Sequence, residues 1–359
     1  MARTESSDAL NDRETLTAPS VINPIDCYVP SLQRVAIIMA TFNGGRFVEE
    51  QIHSIQKQTY ADWVLYVRDD GSRDDTVKKL LQFEGKDQRV RLVSDEIGNL
   101  GVIENYSTLM KVALEENIDY VFFADQDDIW HPKKLAIMLA AMRELELAHE
   151  NKIPLLVHCN LAVVNEKGLP ITDSFVKFSR LSPTTVDLGV MLCQNQVTGC
   201  ACVINRTLLE LAYPVPREVL MHDWWLALLA SSVGKIAFIP KPLVMYRQHA
   251  SNVLGAISLG RRLKELLFSP RQWKLRMEAI RRGFVQAAML EERIQARGID
   301  LPPNILKQIN TYSQILNITP LNRVRNLHAQ KIGVSANSTG LFFNLLITVM
   351  GTTKNTQPL

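Results

Sequence analysis

The run RVAIIMAT, residues 34–41, is apolar and β-rich, and it stops abruptly in the polar and glycine-containing TFNGG of residues 41–45. A run with no polar alternation buries both faces, which is the signature of a parallel strand feeding a loop at its carboxyl end. An amphipathic stretch follows over 46–58. A second strand is predicted at DWVLYVRD (62–69), then the turn DGSRDDT (70–76) and a helix running to Phe83. RVRLVSD (89–95) reads as a third strand and 99–117 as a helix. DYVFFADQDD (119–128) is a strand ending in an acidic loop, and 132–147 is a helix with Pro132 in its first turn. Four β–α units in succession specify an open, mostly parallel α/β sheet with helices on both faces. Ligands of such sheets bind at the carboxyl ends of the strands, where the polar clusters of this chain lie.

Beyond residue 151 the alternation breaks down. LLVHCNLAVVNEKG (155–168) reads as two short strands or one long bent strand, and QVTGCACVIN (196–205) as another. MHDWWLALLASSVG (221–234) is a helix with a polar start. KIAFIPKPLVMYRQH (235–249) reads as two strands split by Pro240 and Pro242. From about Leu259 the chain is helical and basic, and residues 1–33 are a polar, flexible lead-in.

The chain has 359 residues, 47% hydrophobic, with 40 basic and 37 acidic side chains and a net charge of +3. That is enough to bury a full core, and the balance of charge points away from nucleic acid as a partner. Five cysteines in no CxxC spacing argue against a disulfide framework or structural zinc and fit a reducing cytosol. The N-terminus carries no apolar signal-like core, and the longest late apolar run, Leu341–Met350, is about half the length needed to cross a bilayer. A soluble or peripheral protein is expected.

Five clusters carry chemistry. Asp125-Gln126-Asp127-Asp128 packs three carboxylates at the end of an apolar strand. Such carboxylates repel, and a hard divalent cation, Mg²⁺ or Mn²⁺, relieves the repulsion while keeping positions open for phosphate oxygens. An acidic surface loop or a helix N-cap at Asp128 is the plainer alternative. Asp69-Asp70-Gly71-Ser72 lies at the end of strand two. Gly71 permits a tight turn and Asp69 or Asp70 suits hydrogen bonding to a base or ribose, with Asp74 or Asp75 capping the next helix. Thr41-Phe42-Asn43-Gly44-Gly45 is an ordinary loop, or one that turns backbone N–H groups toward a nucleotide base. His222-Asp223-Trp224-Trp225 opens a helix, where Asp223 is either a cap or a general base for an acceptor hydroxyl, and the tryptophans stack on sugar or fill core. In Tyr246-Arg247-Gln248-His249, followed by Asn252 and Gly255, Arg247 suits phosphate and His249 a metal or diphosphate.

Residues 35–76, VAIIMATFNGGRFVEEQIHSIQKQTYADWVLYVRDDGSRDDT, together with DYVFFADQDDIWHPKKL, resemble the family 2 glycosyltransferases. VTGCACVINR, HDWW and YRQHASNVLG are similar to the rhamnosyltransferase-like branch of bacterial surface-polysaccharide (O-antigen type) biosynthesis. The resemblance covers about residues 34–255 and implies a GT-A fold: a three-layer αβα sandwich with a mostly parallel sheet, followed by a C-terminal helical extension. It divides the chain into the lead-in of 1–33, a catalytic domain of 34–255 and a basic helical region of 256–359. Within the catalytic domain, 34–150 would bind the nucleotide and 151–255 the acceptor.

By resemblance, Thr41, Asn43 and Asp70, with Asp69 beside it, line the nucleoside site. Asp125 and Asp127 form a DxD motif for metal and diphosphate, Asp127 the more direct ligand. Asp223 takes the place of the catalytic base, with His222 where many relatives carry the first acid of an ED pair. His249 stands at a late metal or phosphate contact, Arg247 near the phosphates, and Trp224 and Trp225 at the acceptor. The family's processive QxxRW pattern is absent, YRQH being its nearest equivalent, so single-sugar transfer with inversion is expected. The implied donor is a nucleotide sugar, dTDP-L-rhamnose ahead of a UDP-hexose, and the acceptor is a glycan or lipid-linked glycan.

Residues 261–282 hold eight basic and two acidic residues interspersed with Leu, Phe and Trp. That pattern suits either contact with an anionic membrane, at the inner face of the plasma membrane, or a helix packed on the catalytic domain with a solvated basic face. Two rival functions are a sugar nucleotidyltransferase, which would need a glycine-rich basic phosphate loop after strand one, and a non-catalytic carbohydrate-binding protein on a degenerate transferase fold.

Overall fold

The computed structural model describes residues 34–95, 97–149, 153–183, 187–249, 270–334 and 337–350. The lead-in of 1–33, Asn252, Gly255 and the basic residues 261–269 lie outside the described residues. The first half runs β1 (Val35–Thr41), α1 (Val48–Gln56), β2 (Trp63–Asp69), α2 (Thr76–Glu84), β3 (Val90–Leu92), α3 (Val102–Glu115), β4 (Tyr120–Asp125), β5 (Ile129–Trp130) and α4 (Lys134–Ala148). The second half adds β6 (Leu155–Asn165), β7 (Pro170–Thr172), α5 (Phe175–Ser179), α6 (Leu188–Cys193), β8 (Cys202–Asn205), α7 (Arg206–Ala212), α8 (His222–Val233) and β9 (Lys235–Gln248). Four helices close the chain: α9 (Pro270–Ala296), α10 (Pro303–Ser313), α11 (Pro320–Ala329) and α12 (Asn337–Val349).

One sheet runs in the order β3-β2-β1-β4-β8-β6-β9-β5, with β7 on β6. β1, β2, β3 and β4 are mutually parallel. β8 runs against β4 and β6, so β6 and its parallel partner β9 rejoin the common direction. The sheet is therefore mostly parallel. Successive residues of each strand face opposite layers. Val35, Ile37 and Met39 of β1 and Phe122 of β4 pack with α1, α2 and α4. Ala36, Ile38, Val121 and Phe123 pack with α3, α7 and α8. Each such side chain is fully or almost fully buried, and those larger than Ala36 contribute about 1.5–3 kcal/mol each to the two cores that make the three-layer αβα sandwich.

The structure departs from the expectation in three places, and of the two readings of 155–168 it has the one long strand. β9 is continuous through Pro240 and Pro242. Pro cannot donate to a ladder, and the strand absorbs both through register shifts opposite Asn160, which pairs with Pro242 while Cys159 pairs with Ile239. β6 is one long strand with the matching irregularity. The expected strand over 196–205 shrinks to Cys202–Asn205, preceded by a tight turn at Gly199–Ala201. Ile129–Trp130, read as the approach to a helix, instead pairs with β9 as an edge strand.

Asn205 ends β8 and caps α7. Its Oδ1 accepts from Leu208 N and from Leu155 N, and its Nδ2 donates to the Ile153 carbonyl. At Gly234, just past α8, a Cβ would lie 1.9 Å from the Pro154 carbonyl oxygen, so only glycine allows α8 to pass that close to the start of β6.

α9, 27 residues long, carries the described part of the basic stretch. It packs on the α3 and α8 side of the sheet: Phe284, Ala287, Leu290 and Ile294 recur at helical spacing and are buried in the same core as α3 and α8. Arg293 lies over the Trp225 ring at 5.6 Å and donates to the carbonyls of Leu211 and Ala212. Among the described residues no helix is long and apolar enough to cross a membrane.

Candidate active site

The carboxyl ends of β1, β2 and β4 meet through side chains that grip backbone. Gln126 accepts from Phe42 N at 2.9 Å and donates back to the Phe42 carbonyl, joining the β1 loop to the acidic loop. Asn43 N donates to Ser72 Oγ, Gly44 N to Thr76 Oγ1 and Gly45 N to Asp74 Oδ2. The N–H groups expected to face a nucleotide base are thus occupied by the protein. Asn43 holds the left-handed φ of +48° and accepts from Arg73 N. Thr41, 1% exposed, donates its hydroxyl to Asp69 Oδ1.

Asp69 in turn accepts from the backbone N–H groups of Gly71 and Ser72, and Gly71 takes the expected left-handed φ of +84°. Asp70, expected to bind base or ribose, is 3% exposed. It accepts from Arg68, Leu100 N and Gly101 N, and so bolts β2 to the loop entering α3. Asp74 holds the start of α2 as expected, accepting from Thr76 N and Oγ1. The aromatic side chain that these loops leave in the open is Phe42, 49% exposed. The TFNGG reading attended to backbone and missed this ring, although an aromatic at the mouth of a strand-end cleft was visible in the sequence.

The acidic loop gathers the expected metal residues and two more. Asp127 and His249 meet, Oδ2 to Nε2, at 2.7 Å, and the imidazole stacks on Phe47 with ring centroids 4.9 Å apart. Asp125 accepts from the Tyr106 hydroxyl at 3.1 Å. Burial, and then the charge of Asp127, raise its pKa to about 6. Asp128 is fully buried and its pKa rises strongly from burial and from Asp127 and Asp125. Ligand-type atoms of Asp125, Asp128 and Cys200 lie within 4.8 Å of one another. Cys200 was not foreseen. Its thiol is pushed up by burial and by both carboxylates, so it is a neutral donor to them and a poor match for a hard cation. Three carboxylates at one strand end, with burial and like charge raising the pKa of Asp125 and Asp128 and with Asp128 Oδ2 lacking a partner, fit a hard divalent cation at this loop.

Arg247 was expected at the phosphates. Instead it is 3% exposed beneath the loop. Its Nε donates to the Asp127 carbonyl, one Nη to the Glu166 carbonyl and the other to Glu50, while its backbone N–H donates to Asp128 Oδ1. It shapes the acidic loop from behind. Sequence spacing could not separate these roles, because both need a cation at the same place.

Asp223 sits in the first turn of α8 at 8% exposure. It accepts from Gly199 N at 2.8 Å, Asn195 Nδ2 at 3.1 Å and Trp224 N at 2.6 Å. Burial raises its pKa to about 7 against the pull of those donors. The turn at Gly199–Ala201 therefore touches both centres: Gly199 holds Asp223 and Cys200 faces Asp125 and Asp128. Lys134, fully buried, anchors the turn by donating from Nζ to the Cys200 carbonyl at 2.6 Å. His222 is stacked on Tyr106 with centroids 4.0 Å apart, and burial drives its pKa down to about 3, leaving it neutral. Trp225, expected at the acceptor, is fully buried and donates to the Ala212 carbonyl. It belongs to the core. Trp224 is half-buried beside Asp223 and donates to the Met191 carbonyl.

Residues 36–149 match the Glycosyl transferase family 2 description. The chain is 29% identical over 248 residues to the dTDP-rhamnosyl transferase RfbG of Shigella flexneri, spanning 66% of this chain and 80% of that protein. It is 29% identical over 204 residues to the UDP-Glc:alpha-D-GlcNAc-diphosphoundecaprenol beta-1,3-glucosyltransferase WfgD of Escherichia coli, spanning 56% of this chain and 72% of that one. In fold it is similar to the mannosyltransferase PcManGT of Pyrobaculum calidifontis, solved with GDP-Man and Mn²⁺. That match has a TM-score of 0.52 at 17% identity and covers 88% of this chain and 78% of the other.

Proposed function

We propose that this chain, a glycosyltransferase whose residues 36–149 form a family 2 domain on a GT-A fold, transfers one sugar with inversion from a nucleoside-diphosphate sugar to the hydroxyl of a glycan or lipid-linked glycan. The likeness to a dTDP-rhamnosyl transferase favours dTDP-L-rhamnose as donor, with a UDP-hexose second. The observation that carries the reading is the single turn Gly199–Ala201, which ties the carboxylates at the end of β4 to the carboxylate at the start of α8. Donor diphosphate and acceptor hydroxyl need those two kinds of carboxylate side by side.

In this reading Phe42 stacks on the base, in a wall shaped by Thr41, Asn43, Asp69 and Asp70. Asp125 and Asp127, with His249, would hold Mg²⁺ or Mn²⁺. A cation bound there neutralises charge on the departing nucleoside diphosphate. Asp223 takes the proton of the acceptor hydroxyl. The acceptor oxygen bonds to the anomeric carbon as the bond to the diphosphate oxygen breaks on the opposite face, so one displacement inverts the configuration. A base with a pKa near 7 suits that task, since it is half deprotonated at neutral pH yet basic enough to accept the proton. The basic face of α9 would hold the enzyme at an anionic membrane surface.

A panel of nucleotide sugars assayed with Mn²⁺ or Mg²⁺ tests the assignment. Turnover should appear with dTDP-L-rhamnose or a UDP-hexose and vanish in EDTA. Asp127→Ala should lose metal-dependent binding of the nucleoside diphosphate by calorimetry. Full turnover in EDTA would refute the metal role, and release of pyrophosphate from a nucleoside triphosphate would indicate nucleotidyl transfer instead.

A further inference from the structure

The carboxylates of the acidic loop use up the charge of one divalent cation, so a diphosphate there needs a further cation. Arg247, expected in that role, is spent on backbone carbonyls beneath the loop. Lys134 is likewise buried, with its Nζ on the Cys200 carbonyl and 3.3 Å from the centroid of the Trp130 ring. Arg46 is placed differently. It lies between the β1 loop and α1, and its side chain is 64% exposed. Its guanidinium carbon is 5.0 Å from the centroid of the Phe47 ring. The same ring carries the His249 imidazole at 4.9 Å, and that imidazole meets Asp127. One aromatic ring therefore links Arg46 to the acidic loop.

Arg46 pairs with Glu166, in the turn between β6 and β7. That turn is firmly held. Asn165 Oδ1 accepts from Lys167 N and Leu169 N, Gly168 takes a left-handed φ of +77°, and the buried Arg247 donates to the Glu166 carbonyl at 2.9 Å. The backbone of Glu166 is thus fixed by the same arginine that supports the acidic loop, while its carboxylate stays 43% exposed. An ion pair between two exposed side chains is weak and exchanges readily. A diphosphate brings more charge and more acceptor oxygens than one carboxylate, in a geometry that the planar guanidinium fork matches.

We propose that Arg46 grips the diphosphate of the donor, and that Glu166 holds its guanidinium aside until the donor arrives. The proposal rests on the transferase reading above and names the residue that neutralises the phosphates in place of Arg247. Only hydrogen-bonded partners are exchanged: the guanidinium leaves a carboxylate oxygen for phosphate oxygens, and no covalent bond changes. Glu166 and the donor then compete for one cation. Removing the cation harms donor binding, whereas removing the competing acid helps it. A bridge that merely tied the β1 loop to the β6–β7 turn would respond to both losses in the same direction.

Calorimetry on the full chain, with Mn²⁺ and dTDP or UDP, tests this. Arg46→Gln should weaken the nucleoside diphosphate about tenfold. It should weaken the matching monophosphate less, so that the preference for diphosphate narrows. Arg46→Lys, which keeps the charge but not the fork, should fall between Arg46→Gln and the wild type. Glu166→Gln, which keeps the backbone carbonyl that Arg247 uses, should tighten the diphosphate several-fold. Both side chains are exposed, so the variants should unfold at the wild-type temperature. Unchanged diphosphate affinity in Arg46→Gln would overturn the inference. So would a Glu166→Gln variant that binds the diphosphate no more tightly than the wild type. Either result, in a wild type that binds the nucleotide, leaves the transferase reading standing. A wild type that binds no nucleoside diphosphate with the metal would remove both.

Discussion

Asp223 and Phe42 show how much a single side chain's surroundings decide. Asp223 keeps a carboxylate basic by burial while three N–H donors fix its orientation. Asp223→Asn preserves size and most hydrogen-bonding geometry but cannot accept the proton. It should cut kcat by about 10²–10⁴-fold while donor affinity stays unchanged, as read by transfer assay and calorimetry. The pH profile follows from the sign of the shift. As the proposed base, Asp223 works deprotonated, so kcat/KM in the wild type should rise with pH through about 7 and level off above. A flat profile across that range would remove Asp223 as the titrating base. For Phe42, an exposed ring beside loops whose polar groups are already engaged, stacking is the interaction left to offer. Phe42→Ala should weaken nucleoside diphosphate by roughly 1–3 kcal/mol with little change in stability.

At the scale of elements, the acidic loop is held by parts far apart in sequence. β9 brings Arg247 under β4's loop, α1 contributes Glu50, and the turn after β6 contributes the Glu166 carbonyl. Arg247→Met removes the donor from two backbone carbonyls at once. The expected loss is roughly 2–4 kcal/mol in urea denaturation, together with weaker metal-dependent nucleotide binding. If Arg247 instead contacted phosphate directly, binding would fall with stability intact. The same economy explains the strand through Pro240 and Pro242. Its neighbour β6 shifts register at Asn160, and this delivers Arg247 and His249 to the same loop from one strand end.

Across the whole molecule, the catalytic layers and the C-terminal helices share one hydrophobic core. Phe284, Ala287, Leu290, Ile294, Ile309 and Leu327 are buried with residues of α3 and α8. A chain ending at His249 would expose the far side of α8 and α6, including Trp225 under Arg293. That truncation should be insoluble, or should bind the dye ANS and unfold without a sharp transition, while the full chain unfolds cooperatively.

The succession of the first four strands along the chain, their parallel direction and the polar clusters at their ends were set by local pattern, whereas their order β3-β2-β1-β4 in the sheet was not. A short, β-branched apolar run without alternation that ends in a glycine-containing loop fits a doubly buried strand, and successive short β–α units favour a parallel sheet. The acidic residues at β4's end and Asp223 were readable for the same reason, since carboxylates following apolar strands or opening helices must face something polar. The tertiary structure alone decided which polar groups are spent on the protein itself. Asp70 and Arg247 look like ligand-binding residues by type and position, yet each is buried against partners dozens to hundreds of residues away. Trp225 and Trp224 are adjacent and alike, but successive positions on a helix point about 100° apart, one into the core and one toward a cavity walled by the C-terminal helices. Cys200 beside Asp125 and Asp128, and the C-terminal wall of that cavity, depend on long-range contacts. Burial and partner choice are properties of packing between distant segments, and no window along the chain contains them.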